Sequence, residues 1–528
     1  MDTDVLIVGA GPTGLMLANQ LVRRGVNPVI IDRHSGPAQQ TRAIGVQART
    51  MEIYAGMGLA GQALELGQVT GGANMWANGR RTARIPVGDI GKNLSPFPFI
   101  LMLGQDDNER IMGARLQELG VSIQWNTELT ALEQRDDRVA AQLRHPDGTI
   151  RPMTATWVAG CDGSRSAVRE MNHISFPGAP YAQTFFVADT EATGSMRPHE
   201  LNVYLWRDGF HLFFPMRGKD RWRVIGILPE QFRSREHMTF EELVPSIKGE
   251  AGTDLDFKHC SWFSVYRIQH RAAERFRDRR CFLLGDAAHI HSPMGAQGMN
   301  TGLQDAYNLA WKLALVVRGR ADAALLDTYE QERVPVAKRL LETTDRAFQA
   351  VVSEGWLPRL LRTKVIARVA AMAMKFAPVR QFAFRTISQI GISYPDSTLS
   401  RALGRLPKGA PAAGDRFPWV RIELRTDGPA EDLYGVLDDT CFNLLIFGQS
   451  APEAAGQFGD MVRTLAIPRT LENDQELARA GISQPSFYLL RPDGHVGLCG
   501  LEFDAGAVAR YLAQRVHVVT DAASAKAA

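Results

Sequence analysis

Three glycines, Gly9, Gly11 and Gly14, follow the apolar run Val5 to Val8, and Asp32 closes a second apolar run. This is the order strand, glycine turn, helix, strand, and it suits a dinucleotide pyrophosphate. Gly9 permits the tight turn, Gly11 lets backbone approach the phosphates, and Gly14 lets the helix pack on the sheet. Pro12 stands at the first helical position, where its missing N–H costs nothing. The helix N-terminus then offers free N–H groups and a partial positive charge to an anion. Asp32 lies where a carboxylate would accept hydrogen bonds from a ribose, and Arg33 adjoins it as a further cofactor candidate. A bare G-x-G-x-x-G also occurs in flexible loops. Here both strands, the helix and the acid are in place, so dinucleotide binding is expected.

Two further segments end apolar strands on Gly-Asp. In Gly160-Cys161-Asp162-Gly163, Asp162 could approach a ribose or pyrophosphate, or simply make a turn. In Phe282-Leu283-Leu284-Gly285-Asp286, the carboxylate of Asp286 could hold the ribityl chain of a flavin, or cap a strand end. A glycine-containing loop, Pro293 to Asn300, then leads into a helical pattern whose apolar face is Leu303, Ala306, Ala310 and Leu313. The loop delivers a helix N-terminus to a ligand, where the dipole would stabilise negative charge on the pyrimidine end of a reduced flavin.

The elements that must position these groups are legible along the chain. A helix is predicted from about Gln47, a hairpin turns at Asn78-Gly79, and another helix starts at Gln105 and ends on Gly120. A β-hairpin turns at His145 to Gly148. Residues 182–268 alternate or run apolar between turns, which predicts an antiparallel sheet. A long helical stretch is predicted from about Met299 to Val352. Residues 353–400 read as helical and basic-amphipathic, expected to pack on the rest of the protein, with membrane attachment the alternative. After KGAPAAGDRFP, the pattern is strand 442–448, helix, strand 486–490, an RPDG turn at 491–494, strand and helix.

With 528 residues, a prior of ~150 residues per domain gives about three or four domains. A net charge of +3 is too small for this length to argue for nucleic acid or a membrane surface. The longest apolar runs fall short of the ~20 residues of a spanning helix. The five scattered cysteines form no CxxC pair and no metal site is expected. With no signal peptide ahead of the first strand, a cytoplasmic protein with reduced thiols is expected.

The motifs GAGPTG, CDGSRSAVR and LLGDAAHIHSPMGAQGMNTGLQDAYNLAWKL stand in this order. Through them, residues 1 to about 350 resemble the single-component flavoprotein aromatic hydroxylases, typified by para-hydroxybenzoate hydroxylase. The RPDG turn and YPDS at 394–397 resemble the phenol-hydroxylase and polyketide-hydroxylase branch. The resemblance implies an α/β fold: a Rossmann-type FAD-binding domain (1–180 and 270–350, with the hairpin at 70–100 on the substrate side), an antiparallel β-sheet substrate domain (181–269), a helical connector (351–405), a C-terminal thioredoxin-like domain without CxxC (408–518) and a disordered tail (519–528). It also implies tightly bound, non-covalent FAD. Gly9, Gly11, Gly14 and Asp32 would hold its adenosine diphosphate half, Arg42 would reach the pyrophosphate, and Gln105 would stand on the flavin side. Asp162 would serve both FAD and the nicotinamide donor, and Asp286 the ribityl chain. Pro293, Gly298, Met299 and Asn300 would line the isoalloxazine through backbone contacts.

The implied reaction is NAD(P)H- and O2-dependent hydroxylation of a phenolic or polycyclic aromatic substrate through a hydroperoxide on flavin carbon C4a, with NADPH or NADH a transient reductant. A phenolate is attacked more readily than a phenol, so a base is expected. Alternation puts Asn202, Tyr204 and Trp206 on one sheet face, with His211 and Phe213 on the next strand and Trp222 beyond. Either face could be the pocket side, and His211 or Tyr204 could assist deprotonation. No partner beyond the aromatic substrate, O2 and a possible homodimer is expected. A flavin reductase or halogenase on the same fold is a second reading; a halogenase would carry a WxWxIP segment, and RWRVIG does not match it. A non-catalytic flavin-holding protein is the remaining alternative, and the intact loop at 293–300 argues against it.

Overall fold

A computed structural model describes residues 1–38, 43–206, 209–233, 235, 237–291, 297–352, 369, 372–450 and 458–519. Thr3–Val8 is central in a seven-stranded sheet, ordered Arg277–Asp278, Cys281–Leu283, Ile150–Gly160, Thr3–Val8 and Val29–Ile31. The last four of these run parallel. Strands buried on both faces need near-continuous apolar sequence, and Val5, Leu6 and Ile7 are fully buried. Ile150–Gly160 extends beyond this core to pair antiparallel with Val139–Arg144, which in turn pairs with Glu128–Gln134.

The helix Pro12–Val22 buries Leu15, Leu17 and Leu21 on this sheet and packs along the helix Gly298–Val317. The face Leu303, Ala306, Ala310 and Leu313 is buried in the same core. On its other side Trp311 joins the C-terminal core of Phe442, Leu444, Phe487 and Tyr511. The helix is thus enclosed from Asn300 to Ala314. The helical stretch expected to reach Val352 is instead two helices. Gly319 takes φ +65°, and Asp322 caps a short turn by accepting from Ala324 N at 2.8 Å. The second helix, Asp327–Val352, starts after that turn.

The second sheet has eight strands in the order His289–Ile290, Leu255–Ala272, Gly178–Gly194, Arg221–Ile227, Gly209–Pro215, Leu201–Trp206, Gly72–Ala77 and Arg80–Pro86. Neighbours are antiparallel except Leu201–Trp206 with Gly72–Ala77, which pair parallel. Asn78 and Gly79 both take positive φ at the turn between the last two strands, the conformation a two-residue hairpin of this type requires. One face is covered by the helix Phe240–Ala251, whose Thr239 and Glu242 form a capping box. Tyr204, Phe213, Trp222, Phe240, Leu243 and Ile247 fill the space between. The opposite face carries Phe185, Leu205, Phe210 and Ile227, with part-exposed Met75, Tyr181, Val203, Leu212 and Tyr266.

The C-terminal residues form a five-stranded sheet in the order Arg401–Leu403, Val496–Gly500, Ser486–Leu490, Phe442–Phe447 and Val462–Ile467. Phe442–Phe447 pairs parallel with Val462–Ile467 and antiparallel with Ser486–Leu490. The segment GQSAPEAAG, read as the thiol-free start of a helix, falls largely outside the described residues, as does the tail from 520 and most of 353–371.

Candidate functional site

The parallel strands set the site, because their carboxyl ends share one edge and the crevice beyond such an edge receives ligands. Val8 is in register with Gly160 on one side and Ile31 on the other, and Gly160 with Leu283. Gly9 to Gly11, Asp32, Asp162 and Asp286 therefore emerge together. Gly9 takes φ +104°, and a β-carbon there would collide with the Cys161 carbonyl. One at Gly14 would collide with the Gly9 carbonyl, so the turn and the helix close onto each other only without side chains. A β-carbon on Gly11 would meet nothing within 4 Å. That is open space at the N-terminus of the Pro12–Val22 helix, as a cradle for a pyrophosphate requires.

Asp32 also shapes this cradle. Its Oδ2 accepts from Ala10 N at 2.7 Å, and Oδ1 from His34 N at 2.9 Å. A carboxylate has about four acceptor sites, so Asp32 can brace the glycine turn and still receive a ribose hydroxyl. Asp162 accepts from Val168 N through Oδ2 at 3.2 Å, while its buried Oδ1 has no partner among the described residues. Burial pushes this carboxyl up, and the hydroxyl of Ser166 and backbone N–H groups oppose the shift. An orphaned acceptor beside an open phosphate cradle fits a ligand hydroxyl. These residues fit a dinucleotide cofactor.

Asp286 is exposed in the short turn Gly285–Ala287. Sequence reasoning missed the residue that holds this turn, Asp305. Its Oδ2 accepts from Gly285 N at 3.0 Å and meets His289 Nε2 at 2.8 Å, and its Oδ1 meets Arg333 Nε at 2.6 Å. Arg333 continues to the Thr301 carbonyl at 3.2 Å and to the Tyr394 hydroxyl at 2.9 Å. One buried carboxylate therefore fixes the Asp286 turn against the start of the Gly298–Val317 helix. Burial alone would raise the Asp305 carboxyl, but Arg333 and His289 hold it below its usual value. Its only sequence signal was an acid among the apolar positions of that helix.

Gly298, Met299 and Asn300 form the first turn of this helix. The Asn300 side chain is fully buried: Oδ1 accepts from Gln47 N at 2.9 Å and Thr50 Oγ1 at 2.7 Å, and Nδ2 donates to Gly45 O at 2.9 Å. It ties the loop end to the strand Gly45–Val46, leaving backbone to meet a ligand. Gln105 begins its helix as expected and donates to Glu109 at 2.8 Å, whose other oxygen accepts from Ala38 N at 2.7 Å. Arg33 follows Asp32 at the strand end. Arg42 and Pro293 lie outside the described residues.

The structure does not bring Tyr204 and His211 to this cradle. The two are direct cross-strand partners, and their shared face is the one under the Phe240–Ala251 helix. Tyr204 stacks on Trp76 at 5.4 Å and its hydroxyl lies 3.4 Å from Ser195 Oγ. His211 Nε2 is 2.6 Å from Glu250 on that helix. The alternation was correctly read, but which face a helix covers depends on residues 240–251, far along the chain. In this arrangement the two rings lie between the sheet and that helix, Tyr204 against Trp76 and His211 against Glu250.

The FAD binding domain family model matches residues 2–344. The chain belongs to the FAD-dependent aromatic hydroxylases. Among curated proteins, the hydroxylase is 34% identical over 514 residues to 6-methylpretetramide 4-monooxygenase of Streptomyces rimosus, covering 94% of this chain and 90% of that one. It is 32% identical to pentachlorophenol 4-monooxygenase of Sphingobium chlorophenolicum, over 86% of this chain and 81% of that one. The anhydrotetracycline hydroxylase OxyS of Streptomyces rimosus superposes with TM-score 0.78 at 28% identity, covering 98% of the hydroxylase and all of OxyS. A ternary complex of aklavinone-11 hydroxylase with FAD and aklavinone superposes with TM-score 0.80 at 26% identity, over 98% and 99%. The hydroxylase is thus a flavoprotein monooxygenase with the mixed α/β fold of these enzymes.

Proposed function

We propose that this enzyme uses NAD(P)H and O2 to hydroxylate a phenolic or polycyclic aromatic compound. Non-covalent FAD would be held by Gly9, Gly11, Gly14, Asp32, Arg33, Arg42, Gln105, Asp162 and Asp286 and by the backbone of Pro293, Gly298, Met299 and Asn300. The observation that carries this reading is the convergence of the Gly9 turn, Asp162 and the clamped Asp286 turn on one sheet edge. Relatives named for 6-methylpretetramide, pentachlorophenol and aklavinone support this substrate class. Bound FAD would accept hydride from the nicotinamide and activate O2 for insertion into the ring.

The chain's own residues would do the rest. The backbone N–H groups of the two helix N-termini would face the phosphates and the pyrimidine end of the flavin. The apolar sheet face of Phe185, Leu205, Phe210 and Ile227 would receive the planar substrate and keep water from the reacting atoms. Tyr266 lies on that face, and burial pushes its phenol up to about 12. It therefore stays protonated at neutral pH and would donate a hydrogen bond to a ring oxygen rather than act as a base. We assign residues 1–180 and 270–350 to a Rossmann-type domain and 181–269 to the substrate domain. The connector is 351–405. Residues 408–518 form a thioredoxin-like domain, a reading supported by a central strand parallel to one neighbour and antiparallel to the other.

The test is NAD(P)H oxidation by the FAD-loaded protein against simple phenols, chlorophenols, hydroxybenzoates, polycyclic phenols and polycyclic quinones, with hydrogen peroxide measured in parallel. At least one aromatic, with polycyclic phenols favoured, is expected to accelerate oxidation about tenfold or more with little peroxide, a barrier lower by about 1.4 kcal/mol or more. A protein whose flavin no nicotinamide reduces would refute the reading.

A further inference from the structure

Large apolar side chains are exposed in clusters only where something covers them. Here Val369, Met372, Phe376, Val379 and Phe382 all stand in solvent within one short stretch, with Phe376 63% and Phe382 74% exposed. They flank and begin the helix Ala377–Ile387. That helix is anchored from its other side: Phe384 is buried with Ile90, Ala48 and Ile390, and the Thr386 carbonyl accepts from Gln297 at 3.3 Å. The exposed side is therefore not simply unfolded surface. It belongs to an element seated beside the residues that lead into the Gly298 helix.

Charge says what meets this surface. Between Met372 and Pro395 the described residues include Lys375, Arg380 and Arg385 and no aspartate or glutamate. In a chain of net charge +3, this short stretch is locally basic. Basic and aromatic side chains mixed on one amphipathic surface are the composition that lies in the headgroup region of an anionic bilayer. A second copy of the same surface would set like charges against each other. No helix among the described residues is long and apolar enough to cross a membrane, so the contact would be peripheral. The expectation that this stretch packs wholly on the protein is met by Phe384 and not by Phe376 or Phe382.

We propose that the surface of Val369, Met372, Phe376, Val379 and Phe382, with Lys375 and Arg380, docks the enzyme on an anionic lipid bilayer. The phenylalanines enter the interface and the cations meet lipid phosphates. Because the Ala377–Ile387 helix meets Gln297, just ahead of the Gly298 helix, docking would place the site close to a bilayer in which polycyclic aromatics concentrate.

The test is co-sedimentation of the FAD-loaded full chain with phosphatidylcholine vesicles, with and without phosphatidylglycerol. Binding is expected to the anionic vesicles, weakened by salt as exposed charges are screened. The variant F376S/F382S should bind about tenfold more weakly or worse, since each ring removes apolar area from water. K375E/R380E should bind weakly and lose its salt dependence. Phe376, Phe382 and Lys375 are exposed and Arg380 is half-buried, and an unchanged flavin spectrum verifies the fold. Failure of the wild type to partition into anionic vesicles, or equal binding to both vesicle types, would overturn the proposal. So would a wild-type dimer that F376S/F382S dissociates, since a second copy would then cover the surface.

Discussion

Glu332→Ala is expected to destabilise the fold by about 3–5 kcal/mol, the cost of stranding a buried charge. Glu332 is fully buried in the helix that follows the cofactor elements. Its carboxylate takes both ends of Arg491, at 2.6 and 3.0 Å, and Lys312 at 2.8 Å. Asn308 and Ser397 donate to it at 2.6 Å each. Arg491 and Asp493 come from the RPDG turn of the C-terminal sheet. Asp493 also receives Trp311 Nε1 at 3.2 Å, and its carbonyl receives Arg49 at 2.5 Å. The seam between the cofactor-side helices and the C-terminal sheet is therefore a buried ionic network of Glu332, Lys312, Arg491 and Asp493, and alanine would leave two cations in it short of a partner. Arg416 on Glu52, at 2.9 and 2.5 Å, braces a second point of the seam.

The same network fixes the sign of one pH effect. Burial would raise Glu332, but Arg491 and Lys312 bring it down to about 2 from an ordinary 4.5. A carboxyl depressed on folding gives stability that is present above the unfolded value and lost as pH falls through the folded one. Wild-type stability should therefore fall between about pH 4.5 and 2, and Glu332→Ala should flatten that limb. Denaturant midpoints across pH, at saturating FAD, would show it. A variant with wild-type stability at pH 7 would mean that the seam does not depend on this carboxylate.

The second large effect falls on the cofactor. Asp305→Asn keeps the shape of the side chain but puts an NH2 where one carboxylate oxygen stood. Each of those oxygens faces a donor, Arg333 on one side and Gly285 N with His289 on the other. One donor must then confront another, at about 1–3 kcal/mol per unsatisfied buried group. The turn that presents Asp286 loosens against the Gly298 helix, so FAD affinity is expected to fall about ten- to a hundredfold, the equivalent of one or two such groups. Flavin retention through gel filtration, and titration of the apoprotein with FAD by fluorescence, would report it. Unchanged affinity would mean that the clamp does not transmit to the cofactor turn.

Sequence made the cofactor side legible because its signals are local. A positive φ at Gly9, a helix start at Pro12 and an acid at each strand end are written within a few residues of one another. Strand 442–448 and the RPDG turn were equally local. What sequence could not show was long-range. Tyr204 and His211 alternate correctly, but only the helix at 240–251 decides that their face is a packing face. Asp305, Arg333 and Glu332 looked like polar positions on amphipathic helices. Their importance comes from being enclosed on both sides, by the parallel sheet and by the C-terminal core around Trp311, which no periodicity reveals. The break at Gly319 and Asp322 was also overlooked, since a single glycine in a helical pattern is a weak stop signal.

The most direct test is isotopic. The FAD-loaded enzyme would be turned over with NAD(P)H under 18O2 and the polycyclic phenol that most stimulates its oxidation, and the product weighed by mass spectrometry. Gain of one 18O atom in the aromatic product is the predicted result. No labelled product, with the nicotinamide's electrons recovered as hydrogen peroxide, would contradict the account.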